Sequence, residues 1–116
     1  MDLTLTLPVP PSSNRYWRIW RGKAVKTAEA RAYRDRVAVL AYQQGVHGLL
    51  RGPVAVTVRW FRAAHMGDLD NRLKVALDSL NGVAWADDRQ IVELHAYRAE
   101  DKAHARLEVT VAEVAA

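Results

Sequence analysis

Residues 54–80 read VAVTVRWFRAAHMGDLDNRLKVALDSL, and a change of hydrophobic period inside this stretch decides the fold. Over residues 54–61, Val54, Val56, Val58 and Trp60 alternate with Ala55, Thr57, Arg59 and Phe61, the period of a strand with one buried face. Residues 63–67 form a connecting loop. Beyond it Leu73, Ala76, Leu77 and Leu80 recur at three and four residues, the period of a helix that Asp70 or a neighbour caps and Asn81-Gly82 ends.

The flanking chain supplies the rest of a sheet and one more helix. Leu3, Leu5 and Leu7 alternate with Thr4 and Thr6, a strand ended by Pro8 to Pro11, because proline donates no ladder hydrogen bond. Residues 12–23 then read as irregular. Thr27 caps a helix running to Gln44, with Glu29 in its first turn, an apolar stripe of Ala30, Tyr33, Val37, Leu40 and Ala41, and Gly45 as its stop. Residues 91–99 form a strand with Val92, Leu94 and Ala96 on one side. A turn at residues 100–102 leads into residues 105–111, where Ala105, Leu107, Val109 and Val111 alternate with polar residues and close a hairpin. The order β-α-β-α-β-β predicts an α+β protein, one small domain over residues 1–116 with a mixed four-stranded sheet and two helices.

With 116 residues, half of them hydrophobic, the chain can bury one core and not two. The absence of cysteine excludes a disulfide framework, a thiolate zinc site and a cysteine nucleophile. No apolar run approaches ~20 residues and the amino terminus lacks the pattern of a signal peptide, so a soluble, cytoplasmic protein with no membrane partner is expected. A formal charge of +4 and a pI near 9.8 favour a polyanionic partner. The charges are also segregated: Arg15, Arg18, Arg21, Lys23, Lys26, Arg31, Arg34 and Arg36 outnumber Glu29 and Asp35, whereas Asp68, Asp70, Asp78, Asp87 and Asp88 crowd the second half.

Arginines interleaved with Tyr16, Trp17 and Trp20 suit a surface that meets phosphates with guanidinium forks and offers rings to unpaired bases, Trp17 being the weakest of the three rings as a contact. The DNA-facing set is Asn14, Arg15, Tyr16, Arg18, Arg21, Lys23, Lys26 and Arg34. The plainer alternative is a set of solvated arginines around rings that cover the core. Asp68-Leu69-Asp70, completed by Asp87-Asp88, has the donor chemistry of a hard divalent cation, which neutralises charge at a phosphoryl group and activates water. Asp68, Asp70, Asp87 and Asp88 are thus the candidate metal ligands. Lys74 either stabilises transition-state charge or only screens Asp70 four residues before it. Asn71 either hydrogen-bonds a ligand carboxylate from behind or helps to cap the helix. The four histidines, His47, His65, His95 and His104, show no metal-ligand spacing, and neither a Gly-rich phosphate loop nor a nucleophile elbow is present.

Four segments resemble, in order, the motifs of the RusA family of Holliday junction resolvases: Pro10-Pro11-Ser12-Ser13-Asn14-Arg15-Tyr16, Ala32-Tyr33-Arg34-Asp35, Asp68-Leu69-Asp70-Asn71 with Lys74, and Trp85-Ala86-Asp87-Asp88. The resemblance covers residues 8–98. It implies a RusA-like fold and a small, homodimeric, Mg²⁺-dependent endonuclease, with Mn²⁺ able to substitute. Its substrate would be a four-way DNA junction, cut by paired nicks in recombination and repair, in a protein often borne by phages or prophages. It also implies Asp68, Asp70 and Asp88 as essential carboxylates, Asp87 as an auxiliary one and Lys74 as the catalytic lysine. The chain departs from the pattern just before Asp68, where Arg62 and His65 stand in place of several basic residues. A dimer is expected to pair through an exposed apolar strand face. Two other readings are a non-catalytic basic DNA-binding protein and an interaction protein whose acids are caps and turns. The metal site needs the strand entered after Asp88 to lie beside the start of the second helix.

Overall fold

The computed structural model describes residues 2–63 and 67–115. His65 and the middle of the loop at residues 63–67 lie outside the described residues. The chain runs β1 (Asp2–Leu7), α1 (Ser13–Tyr16), β2 (Trp17–Trp20), β3 (Lys23–Lys26), α2 (Ala28–Gln43), β4 (Val54–Arg62), α3 (Leu69–Leu80), a 3₁₀ turn (Asp88–Gln90), β5 (Ile91–Glu100) and β6 (Arg106–Glu113). Four strands form a mixed sheet in the order β1-β6-β4-β5, and β2 and β3 pair separately.

The alternating strands bury the faces their sequence predicts. Leu5, Val109 and Val58 lie in one cross-strand row, and Leu7, Leu107 and Trp60 in the next; all six are buried. α2 begins at its expected cap, where the Ala30 backbone N–H donates to Thr27 Oγ1 at 3.1 Å, and it buries Ala30, Tyr33, Val37 and Ala41. α3 is rotated from the expected stripe. It buries Val75, Ala76, Ser79 and Leu80, leaving Leu73 and Leu77 half-buried.

Two expectations are corrected. The last two strands do not form a hairpin, because β4 lies between them. β5 pairs with β4 in parallel, and β6 pairs antiparallel with β4 on one side and β1 on the other. The reason is polarity: β6 presents an unbroken buried row, Leu107, Val109 and Val111, that needs sheet on both flanks, whereas β5 carries Glu93, His95, Arg98 and Glu100 and suits an edge. The segment read as irregular also has structure. Residues 13–16 make one helical turn, and residues 17–26 a hairpin whose tip, Arg21-Gly22, holds φ values of 50° and 74°. Two positive φ values match the twist of a two-residue turn, although arginine is an unusual choice for the first.

Parallel pairing of consecutive strands requires a crossover, and α3 is that crossover. It fixes where the two acidic motifs lie.

Candidate nucleic-acid and metal site

Asp68 is the N-cap residue of α3, with extended backbone at φ −96° and ψ 141°, yet its carboxylate accepts no hydrogen bond from the first turn. Among the described residues its oxygens have no hydrogen-bond partner. Asp70 follows in that first turn, and both acids are exposed at the helix start. Gly67 delivers the chain here at φ 88°; a Cβ on it would stand 3.0 Å from the Trp60 ring and 3.5 Å from the Arg72 guanidinium, so only glycine fits.

Lys74 is exposed one turn further on and makes neither hydrogen bond nor ion pair among the described residues, so it does not pair with Asp70. It lines a pocket with Asn14, Trp17, Arg18 and Ile19. Asn71 accepts a 2.8 Å hydrogen bond from Ser13 Oγ, which ties α1 to the start of α3. Beside this pocket, the β2–β3 hairpin exposes Arg18, Arg21 and Lys23, with Trp20 half-exposed under the Arg21 guanidinium at 4.4 Å. Asn14 and Arg15 are exposed on α1, and Arg15 pairs with Glu29 at 2.9 Å.

Tyr16 is a correction. Its ring is fully buried, so it offers no face to a base, and its hydroxyl donates to Asp78 Oδ2 at 2.6 Å. Burial, reinforced by that hydrogen bond to Asp78, pushes the phenol above its ordinary range. Asp78 also receives Arg34 Nη1 at 2.8 Å and lies 3.6 Å from Lys26 Nζ. Both cations therefore fasten α2 and β3 to α3, and neither is free for phosphate while that network holds. Asp78 was not among the sequence candidates. Its signal was spacing, since Asp70, Lys74 and Asp78 recur every fourth residue along one side of the helix.

The second acidic motif is held just as firmly, elsewhere. The Asp87 carboxylate accepts the Arg89 backbone N–H at 2.9 Å, and in return the Asp87 backbone N–H donates to Gln90 Oε1 at 2.8 Å. That Arg89 backbone bond, above all, holds the Asp87 carboxyl below its usual range. Asp88 is exposed and accepts the Trp85 indole N–H at 2.7 Å. Gln90 Nε2 donates to the carbonyls of Leu50 and Gly52, anchoring the turn at the chain entry to β4.

The parallel register pairs Val54 with Ile91 and Arg62 with Glu100, so β5 starts where β4 starts. α3 starts after β4 has ended. The two acidic motifs therefore lie toward opposite ends of α3, a helix of twelve residues and about 18 Å. Among the described residues no three histidine, aspartate or glutamate side chains gather closely enough to hold an ion. Within one chain the start of β5 does not lie beside the start of α3, the placement on which the expected site depends. A full-length helical crossover is what forbids it.

Fold and site together define a class: small basic α+β domains in which a helix with carboxylates at its start lines a pocket, through Lys74, with a basic hairpin. The family model described as Endodeoxyribonuclease RusA matches residues 8–112, and the chain belongs to that family. Its relatives include the crossover junction endodeoxyribonuclease RusA of Escherichia coli strain K12, 37% identical over 96% of this chain and 94% of the relative. That of Shigella sonnei strain Ss046 is 36% identical over the same shares, and that of Enterobacteria phage 82 is 36% identical over 95% of this chain and 93% of the relative.

Proposed function

We propose that this chain is a Mg²⁺-dependent endodeoxyribonuclease that resolves four-way DNA junctions by paired symmetric nicks, as a single-domain cytoplasmic protein over residues 1–116 acting as a homodimer. The observation that carries this reading is the family match across nearly the whole chain, with Asp68 and Asp70 left unbonded at an exposed helix start. The donors are carboxylate oxygens alone, which fits Mg²⁺ and equally Mn²⁺. When bound, the cation would supply charge neutralisation at the scissile phosphate.

Asp68, Asp70, Asp88 and the auxiliary Asp87 would hold that cation, and the separation of the two pairs says how. A two-fold symmetric dimer brings the Asp87-Asp88 end of each chain against the Asp68-Asp70 end of its partner, giving two equivalent sites for two coordinated cuts. β5 supports such pairing, since this ten-residue edge strand exposes Val92, Leu94 and Tyr97, a surface that proteins usually cover. Lys74, without an ion pair among the described residues, places a positive charge where negative charge grows on the phosphate. Asn14, Arg15, Arg18, Arg21 and Lys23 bind the flanking backbone, and Trp20 offers a ring to an unpaired base. Among the described residues no helix is long and apolar enough to cross a membrane.

The separated acids also favour a second reading, a basic DNA-binding protein without catalysis. One assay separates the two: a synthetic mobile four-way junction beside a linear duplex of the same sequence, each with and without Mg²⁺. Symmetric nicks in the junction alone, and only with Mg²⁺ or Mn²⁺, are expected. Salt-sensitive junction binding with no nick under any of these conditions would leave the non-catalytic reading.

A further inference from the structure

A second groove opens on the far side of α1 from the Lys74 pocket. Its rim is Pro8 to Pro11, and its floor is the face of α2 on which Glu29, Ala32, Tyr33 and Arg36 recur at i, i+3, i+4 and i+7. Arg15 enters from α1 and Arg72 from α3. The cations outnumber the acid three to one, and Glu29 already pairs with Arg15. Arg36 forms neither ion pair nor hydrogen bond among the described residues.

Arg72 is the unusual member. Its Nη1 donates to the Pro10 carbonyl, its guanidinium lies 5.3 Å over the Trp60 ring, and its Nε is buried without a partner. Among the described residues no carboxylate pairs with it. It lies half-buried in a groove that Arg15 and Arg36 also line. The Pro10 contact nevertheless fixes it at the wall of the groove.

The geometry points to this groove as a phosphodiester-binding subsite, in which Arg36 and Arg72, with Arg15, hold the DNA backbone next to the strand lying at Asp68-Asp70. Guanidinium forks suit phosphate oxygens, and the proline rim and the Ala32-Tyr33 floor suit the apolar faces of deoxyribose. The inference rests on the DNA-cleaving reading and adds residues to it. α1 becomes a ridge between two backbone paths, the hairpin side with Lys74 and the proline side with Arg36.

The test is binding of a labelled four-way junction in EDTA across a salt series, with R36Q and E29Q, both on the solvent side of α2, beside the unchanged protein. R36Q loses one phosphate contact, so the slope of log affinity against log salt becomes shallower by about one and affinity at 0.1 M salt falls about tenfold. E29Q releases Arg15, and so it tightens binding and steepens the slope. Affinity and slope unaltered by R36Q, in a protein that binds the junction, would overturn the groove and leave the function standing. No salt-dependent binding by the unchanged protein would overturn both.

Discussion

Asp70→Asn is expected to lower Mg²⁺-dependent junction cleavage by about a thousandfold or more while junction binding persists. Removing one anionic oxygen from a hard-cation site forfeits Lewis-acid stabilisation worth several kcal/mol, and about 4 kcal/mol is a thousandfold in rate. The fold tolerates the change, because Asp70 is exposed and makes no hydrogen bond among the described residues. Its loss from the first turn of α3 costs at most about 1 kcal/mol of helix-dipole interaction. Asp68→Asn should behave alike, since its carboxylate does not cap the helix. Single-turnover cleavage and equilibrium binding, measured on the same junction, check both. If these acids were only helix-start residues, both variants would cut normally.

The second large effect is on Trp85. It is the largest fully buried side chain, its backbone bridges to Leu50 and Asn81, and its indole N–H holds Asp88 at 2.7 Å. Trp85→Ala should cost about 3–5 kcal/mol. Set against a total stability of about 5–15 kcal/mol, that leaves a marginal or unfolded protein, read as the urea midpoint. Trp85→Phe keeps most of the volume and deletes only the donor to Asp88. It should remain folded while cleavage falls by about 10–100-fold, the usual effect of losing a group that orients a metal-binding carboxylate. Recovery of the loss at higher Mg²⁺ would mark weakened ion binding as its cause.

Much of the fold is legible in local pattern. The alternation of Val54, Val56, Val58 and Trp60 and the Thr27 cap are properties of neighbouring residues, and the structure keeps both. What local pattern does not carry is adjacency. Alternation in β5 and β6 shows that each is a strand, but their order depends on which one can leave a flank uncovered, and the charges along β5 hold that information. The β2–β3 hairpin was hidden because Arg21 occupies a positive-φ position where Asn or Gly would announce the turn.

The site is legible in its parts and not in its assembly. Asp68, Asp70 and Lys74 stand out by residue type and spacing. Tyr16 was misread because Arg15 and Trp17 flank it, while the partner that buries it, Asp78, lies 62 residues away. The distance between the acidic motifs followed from topology. A strand, a twelve-residue helix and a second strand imply a parallel crossover, which places the helix start and the second strand's start at opposite ends. On the proposed reading, one chain then carries two half-sites.

The most direct test of that claim uses Asp70→Asn and Asp88→Asn chains carrying different tags, co-expressed and purified as the mixed dimer. Each variant alone should be inactive, because every site then lacks a carboxylate. If sites are shared between chains, the mixed dimer has one doubly defective site and one intact site, and so with Mg²⁺ it should nick four-way junctions on one strand without resolving them symmetrically. A mixed dimer as inactive as either variant alone would contradict the composite site.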